Sequence, residues 1–361
     1  MPSSQRQIKK VLPLRPLGLC GEILIYMYNR KERIDRGVRA RTEGIFALSS
    51  GWDLIYLLAP RVLPLLILLI LTLTVSLYWQ KVLISTAVFA LLAISWDFLA
   101  SAGMVSLGQA YFFGMGAYLT GILNHYFLWP IWLSIPLSAV LGGGICTLSL
   151  LPVLRLRGIY FSMITLVLPL MLVRIIEATK IFGGTEGISG LASYPNRWLE
   201  LYLGLTAAWV CLFGLRRLLH SDYGLILKGI SDNDRSVMSS GINIYWKKAQ
   251  ALFLAGSVGA LAGAFMTHSY MFVGMPVFAL DYSILPIASA VVGGMGTLAG
   301  PLLGAFILVP LSELLRGLGG LRIVIYALSL TVFIVVLPEG IFHYVQRKYQ
   351  QFERKVKVET E

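Results

Sequence analysis

Residues 62–79 read VLPLLILLILTLTVSLYW, and this stretch carries no charged side chain. A helix needs about 20 apolar residues to cross the hydrocarbon core of a bilayer, so the stretch predicts a transmembrane helix. The run IVIYALSLTVFIVVLP at 323–338 predicts another one. A transmembrane β-barrel would instead show short segments of alternating hydrophobicity. The two runs therefore predict an all-α polytopic membrane protein.

The composition of the whole chain agrees with this prediction. Of its 361 residues, 57% are hydrophobic and 13% are charged, and the mean hydropathy is +0.75. A soluble domain carries about 25% charged residues, so this surface is suited to lipid. The formal charge of +12 is interpreted as basic cytoplasmic loops rather than as a nucleic-acid site. The lipid bilayer is therefore an expected partner, and nucleic acid is not.

Apolar segments follow one another along the chain and can be oriented by their basic flanks. Basic residues concentrate after the fourth segment, after the sixth and beyond Pro338. The positive-inside rule places these regions, and with them both termini, in the cytoplasm. The loops at 180–197 and 271–283 hold few or no basic residues and are expected outside. The segments are 62–79, 82–100, 106–124, 130–152, 158–178, 198–219, 247–269, 284–295, 299–315 and 322–338.

Composition divides the chain into three regions. Residues 1–60 contain the basic run NRKERIDRGVRAR at 29–41 and no signal-peptide cleavage pattern. They are expected to form a cytoplasmic extension with an interfacial helix. Residues 61–342 form the transmembrane domain, within which 222–245 is a polar cytoplasmic loop. Residues 343–361 are a basic cytoplasmic tail.

The segment 284–295 is too short to cross a bilayer as a straight helix. At ~1.5 Å per residue it reaches about 18 Å, against about 30 Å of hydrocarbon. One interpretation is a broken or re-entrant hairpin that turns at Gly293-Gly294-Met295-Gly296, and the other is a short helix bent by packing. Depending on the interpretation, residues 284–315 cross the membrane once or twice. The count of transmembrane segments is accordingly about 9–10.

Motifs for catalysis and nucleotide binding do not occur in this sequence. GxxxxGK[ST], HExxH and GxSxG are all missing, which predicts a protein that is not an enzyme and binds no nucleotide of its own. Cys20, Cys146 and Cys211 lack metal-site spacing, so no metal is expected. Asp97 lies toward the end of its segment and is expected to reach the interface. No acid is placed deep in a span, which disfavours an ion-coupled secondary transporter without removing that alternative.

Six motifs in order resemble one family. The chain is similar to the permease subunits of ATP-binding cassette (ABC) importers for branched-chain amino acids, and the resemblance covers about residues 62–342. The motifs are SLGQAYFFGMGAY (106–118), LRLRGIYFSMITL (154–166), GGTEGISG (183–190), GINIYWKKAQALFLAGSVGALAGA (241–264), VVGGMGTLAGPLLGA (291–305) and LPEGIF (337–342).

This resemblance implies a division of labour in a bacterial cytoplasmic (inner) membrane. The chain would pair with a second homologous permease, two cytoplasmic ATPases would bind ATP and Mg, and an extracytoplasmic solute-binding protein would deliver the solute. A short helix within 222–245 would dock on an ATPase, starting at a polar cap and ending at a left-handed glycine. The coupling residues are then Gly229, Asp232, Asn233, Asp234, Arg235 and Gly241.

A translocation path is expected where small, hydroxylated or exposed-backbone positions occur in the motifs. The family often has histidine where this chain has Gln109, and asparagine where it has Glu186. Because relatives in the family import urea or short amides, these departures leave the solute open between those and amino acids. The path residues predicted are Ser106, Gln109, Thr165, Gly184, Thr185, Gly293, Gly294 and Gly296.

Overall fold

The computed structural model of the chain describes residues 31–33, 76–156, 158–318, 321–337, 339–350 and 353–355. The predicted segment at 62–79 lies outside these ranges except for its last residues, which belong to a helix. The predicted N-terminal extension, 1–60, lies outside them except for 31–33.

The described residues are mostly helical. The helices are α1 Leu77–Ser101, α2 Gln109–His125, α3 Ile131–Leu150, α4 Ile159–Thr179, α5 Arg197–Leu219, α6 Asp222–Asp232, α7 Asp234–Ser239, α8 Ile244–Tyr270, α9 Asp281–Gly293, α10 Ala299–Leu314, α11 Leu321–Val336 and α12 Ile341–Gln350. The strands are β1 Lys31–Arg33, β2 Ile188–Ser189, β3 Phe272–Val273 and β4 Glu353–Lys355. They form two antiparallel pairs, β1 with β4 and β2 with β3.

Seven helical stretches in the described part of the chain are long and apolar enough to cross a membrane, judged by length and composition. Two further apolar helices, α2 and α11, have 17 and 16 residues. The bounds of all these apolar helices agree with the segments predicted from the sequence to within a few residues. The fold class, an all-α polytopic membrane protein, is confirmed.

The helix α8 lies at the centre of the bundle and packs against α1, α2 and α3. A Cβ on Gly263 would overlap the carbonyl oxygen of Phe113. A Cβ on Gly116 would overlap the carbonyl oxygen of Ala260. Because lipid tails are as apolar as leucine, such close backbone approach favours helix association in a membrane where apolar burial does not.

The helix α10 runs antiparallel along α1. Near its start, the N–H of Leu298 donates to Asp97 Oδ2 at 2.8 Å. Near its end, the Tyr78 hydroxyl donates to Glu313 Oε1 at 2.5 Å. The two helices therefore accompany each other over most of their length.

The loops between the long helices gather at two ends of the bundle. We call one of them the basic end, because it carries Arg155, Arg216, Arg217, Lys228 and Lys247. At the opposite end, β2 pairs with β3, which joins the loop after α4 to the loop after α8. These are the two loops with few or no basic residues, so they share one end as the sequence predicted.

Candidate functional site

The loop after α1 turns back into the bundle before α2 begins. Gly108 packs against Thr165, the seventh residue of α4, and a Cβ on Gly108 would overlap the Thr165 carbonyl oxygen. At ~1.5 Å per residue this contact lies about 9 Å inside the start of α4. The N-terminus of α2 is therefore within the bundle and not at its end.

Hydroxyl groups accept hydrogen bonds from the backbone at the start of α2. The N–H of Leu107 donates to Thr165 Oγ1 at 3.1 Å, and that of Gly108 donates to Ser106 Oγ at 3.2 Å. The N–H of Ala110 donates to Ser283 Oγ, on α9, at 2.9 Å. Since the first N–H groups of a helix lack intrahelical partners, these hydroxyls stabilise a helix end that water cannot reach.

A second helix, α9, begins close to the N-terminus of α2. The 3₁₀ segment Met275–Phe278 precedes it, and the Phe278 ring fills the space where a Cβ on Gly114 would lie. The same ring stacks on Tyr118 with centroids 5.5 Å apart. Phe278 thus anchors the chain on α2, so that the first turn of α9 lies beside the N-terminus of α2.

Gln109 is enclosed at the meeting point of these two helices, with no solvent exposure. Its Oε1 lies 3.5 Å from Ser95 Oγ, and the Ser95 hydroxyl donates to the carbonyl oxygen of Ala255 at 2.8 Å. The Nε2 atom of Gln109 is buried and has no hydrogen-bond partner within the described residues. Three predicted path residues, Ser106, Gln109 and Thr165, are therefore brought together, and we call them with Ser95 and Ser283 the polar cluster.

The turn between α9 and α10 is held by Asp97. Its Oδ1 accepts from the N–H of Gly296 at 2.6 Å and its Oδ2 from that of Leu298 at 2.8 Å. Gly294 and Gly296 have φ of +111° and +80°, where a side chain would be strained. The predicted turn at 293–296 is confirmed. The Asp97 side chain is fully buried and bonded to this turn, a contact that the sequence did not predict.

The predicted residues Gly293, Gly294 and Gly296 connect to the polar cluster through the end of α1. The indole Nε1 of Trp96, next to Asp97, donates to the Ser106 carbonyl oxygen at 2.7 Å. The hairpin turn and the loop before α2 are therefore held by adjacent residues of one helix.

Gly184 and Thr185 lie elsewhere. They follow the C-terminal end of α4, about 20 Å along that helix from Thr165 at ~1.5 Å per residue. Gly184 is buried with φ of +53°, whereas Thr185 is exposed. The two residues belong to the loop joined to β3, at the end opposite to the basic end. The structure does not bring them to the polar cluster.

The polar loop 222–245 contains two helices where the sequence predicted one. α6 runs to Asp232, so Gly229 and Asp232 belong to it and not to the helix that follows. Asn233 caps the next helix, α7, because its Oδ1 accepts from the N–H groups of Arg235 and Ser236 at 3.1 and 3.4 Å. Gly241 follows α7 with φ of +79°, as a left-handed helix end requires.

The charged residues around Asn233 differ in exposure. Asp232 and Arg235 are exposed, whereas Asp234 pairs with Lys248 of α8 at 3.3 Å, with side-chain exposures of 15% and 9%. Asp234 thus links α7 to the central helix. A cleft of about 390 Å³ separates the α6–α7 junction from the loop after α1 and the start of α4.

The helix α6 is packed against the bundle. Leu227 and Ile230 are buried, and a Cβ on Gly103 would come within 3.0 Å of the Ser231 Cα. Burial raises the pKa of Tyr223 to about 12, and its hydroxyl donates to the Lys247 carbonyl oxygen at 3.3 Å. α6 is thereby in contact with the loop that leads into the polar cluster.

Four residues of this arrangement were not predicted. Ser95 and Ser283 are isolated serines in apolar runs, and no sequence signal marks them. Asp97, a charge beside an apolar run, did give a signal, but its backbone partners lie about 200 positions away in the chain. Lys248 adjoins another lysine, so its buried pairing was hidden among basic loop residues.

No group of three His, Cys, Asp or Glu side chains among the described residues could hold a metal ion. The polar cluster instead offers neutral hydroxyls, one side-chain amide and the N-terminal turns of two helices, enclosed by apolar helices. These features define a polytopic membrane protein with an interior polar cluster and with a short polar helix at its basic end. The family model described as branched-chain amino acid transport system / permease component matches residues 78–337. The chain belongs to this family.

Curated relatives agree with this assignment. The chain is similar to the high-affinity branched-chain amino acid transport system permease protein LivM of Escherichia coli (strain K12) and to that of Salmonella typhimurium. Each is 26% identical over 271 residues, which cover 66% of this chain and 64% of the relative. A probable branched-chain amino acid transport permease protein LivM of Methanocaldococcus jannaschii is 23% identical over 191 residues, covering 51% of this chain and 55% of the relative. The chain thus spans somewhat less than two thirds of these relatives. No solved structure matches it.

Proposed function

We propose that this chain is the membrane-spanning subunit of an ATP-driven importer of branched-chain amino acids. The observation that carries the proposal is the family match over 78–337, which takes in the helices α1 to α11 and the whole polar cluster. The names of the relatives, which are transport system permeases for these amino acids, support the same solute class.

The proposed assembly contains three other subunits and a delivery protein. A second homologous permease completes the path, two ATPases bind ATP and Mg on the cytoplasmic side, and an extracytoplasmic binding protein delivers the solute. The basic end then faces the cytoplasm, as the positive-inside rule requires. The chain is placed in a bacterial inner membrane with both termini in the cytoplasm, and it performs transport rather than catalysis.

In this proposal the helix α7 receives force from an ATPase. Its exposed residues include Arg235 and Met238, which is 45% exposed, and Asp232 at the end of α6 is exposed beside them. The ion pair between Asp234 and Lys248 passes a displacement of α7 to α8. The contact between Ser231 and Gly103 passes a displacement of α6 to the loop before α2. Both routes end at helices that border the polar cluster.

Affinity capture tests the proposal. A tagged chain isolated from its own membranes in mild detergent should bring down an ATPase and a second permease. The double variant Asp232→Ala/Arg235→Ala should reach the membrane in normal amount and lose the ATPase. A matched variant at the opposite end, Glu186→Ala, should retain it. A wild-type chain that is isolated without any ATPase would refute the assignment.

A further inference from the structure

The buried amide of Gln109 has an unfilled hydrogen-bonding capacity. Within the described residues it is one of five buried side-chain polar groups with an atom lacking a partner, and among these five it alone belongs to the polar cluster. Ser95 has one hydroxyl hydrogen, which goes to the Ala255 carbonyl oxygen at 2.8 Å. Ser95 therefore satisfies one end of the amide at most. Because a buried polar group without a partner is unfavourable, a ligand group that pairs with it would gain by binding there.

The electrostatic surroundings of Gln109 suit a negative charge. It is the first residue of α2, whose N-terminal end carries partial positive charge, and the N-terminal turn of α9 lies beside it. Hydroxyls already accept from the neighbouring N–H groups of Leu107, Gly108 and Ala110. The side-chain amide is thus a donor that is still available. N-termini of interrupted helices within a membrane are suited to anionic solute groups.

An apolar wall lies one helical turn away. Phe113 is four residues after Gln109 and therefore shares its face of α2. Its ring stacks on Tyr282 with centroids 4.2 Å apart, and Tyr282 stacks on Phe89 at 5.5 Å. The amide donor and this aromatic stack together offer a polar point and an apolar surface to one small molecule.

From these observations we propose that Gln109 is a specificity-determining residue that donates a hydrogen bond to the α-carboxylate of an aliphatic amino acid in transit. The aliphatic side chain lies along Phe113 and Tyr282. The assignment rests on the proposed function and narrows the range of solutes to amino acids, because urea has neither a carboxylate nor an aliphatic part. Because Gln109 and Phe113 are enclosed in this conformation, the assignment requires the helices around the polar cluster to open for the solute.

The test uses the complete importer in proteoliposomes, supplied with saturating leucine-loaded binding protein. Gln109→Leu removes the donor at similar size and should lower the maximal rate of leucine uptake at least about tenfold, the effect of losing a hydrogen bond to a charged group. The KM for loaded binding protein and the amount of bound ATPase should stay unchanged. Gln109→His retains an N–H donor and should restore most of the rate. Gln250→Leu, the same change near the basic end, should have no effect.

Leucine uptake by Gln109→Leu at the wild-type rate would overturn the assignment while leaving the importer function intact. If Gln109→Leu does not assemble, Gln109→Glu replaces it, since it keeps the side-chain length and sets a carboxylate against the solute's own. Wild-type uptake by Gln109→Glu overturns the assignment, and its loss beside an active Gln109→His supports it. A wild-type importer that takes up no amino acid refutes the proposed function, and the assignment with it.

Discussion

At the residue scale, the carboxylate of Asp97 accepts hydrogen bonds from two backbone N–H groups of the α9–α10 turn. The variant Asp97→Ala removes both acceptors and leaves the N–H of buried Leu298 without a partner. We expect a loss of about 1–3 kcal/mol in the free energy of unfolding, because a buried donor then lacks its bond. The measurement is the thermal unfolding midpoint in detergent. Asp281→Ala, at the exposed start of α9, should cost less than about 1 kcal/mol. Equal midpoints for the two variants would contradict this role.

The ion pair of Asp234 and Lys248 gives a second residue-scale prediction. Lys248→Met removes the positive charge opposite a carboxylate that is only 15% exposed. Breaking a fully buried pair costs about 3–5 kcal/mol, so we expect a smaller loss, on the order of 1–3 kcal/mol, for this partly exposed one.

Lys228→Met, which changes an exposed lysine of α6, is the matched control for Lys248→Met and should leave the unfolding midpoint unchanged. Amide hydrogen exchange measured on both variants should be faster in α7 for Lys248→Met and unchanged for Lys228→Met. A Lys248→Met protein with wild-type stability and exchange would show that the pair does not hold α7 to α8.

Part of this residue-scale arrangement is predictable from sequence. Ser106, Gln109 and Thr165 were singled out from the motifs, and they do lie together. Gly184 and Thr185 were singled out by the same reasoning and lie at the opposite end from the basic loops. A motif gives the order of residues along the chain but not the distances between them in space. Thr165 lies near the start of α4 and Gly184 follows its end, so most of the length of α4 separates them.

At the scale of elements, the packing of α9 against α10 depends on glycine. A Cβ on Gly293 would overlap the Gly300 carbonyl oxygen, and one on Gly304 would overlap that of Ser289. We expect Gly293→Ala to impair assembly, since backbone and not a flexible side chain occupies the space. Gly214→Ala, in α5 where no atom lies within 4 Å, should be tolerated. Membrane yield and a monodisperse elution profile measure the outcome, and normal assembly of Gly293→Ala would contradict the packing.

The bounds of the long helices follow from apolar composition, but the position of a helix start relative to the neighbouring helices does not. α2 and α9 are apolar segments like their neighbours, and the positions of their first turns depend on Gly108 against Thr165 and on Phe278 against Gly114. These contacts join distant parts of the chain. The division of 222–245 into α6 and α7 is local by comparison. The sequence predicted a polar cap within 232–235, which Asn233 provides, but it did not predict the helix before it.

At the scale of the whole molecule, the fold class follows from the sequence because lipid imposes one requirement on every span. Backbone groups must be satisfied within the segment, and side chains must be apolar. The polar cluster is an exception to the apolar interior, and it lies where two helices begin. The proposed transport needs such a site, because a bundle of continuous apolar helices offers no group to a polar solute.

The central claim is that ATP hydrolysis by partner subunits drives amino-acid uptake through this chain. Its most direct test is leucine uptake into proteoliposomes that contain the complete importer, loaded binding protein and internal ATP. We predict uptake that vanadate abolishes and an uncoupler leaves unchanged. Uptake by this chain alone, driven by an ion gradient and insensitive to vanadate, would contradict the account.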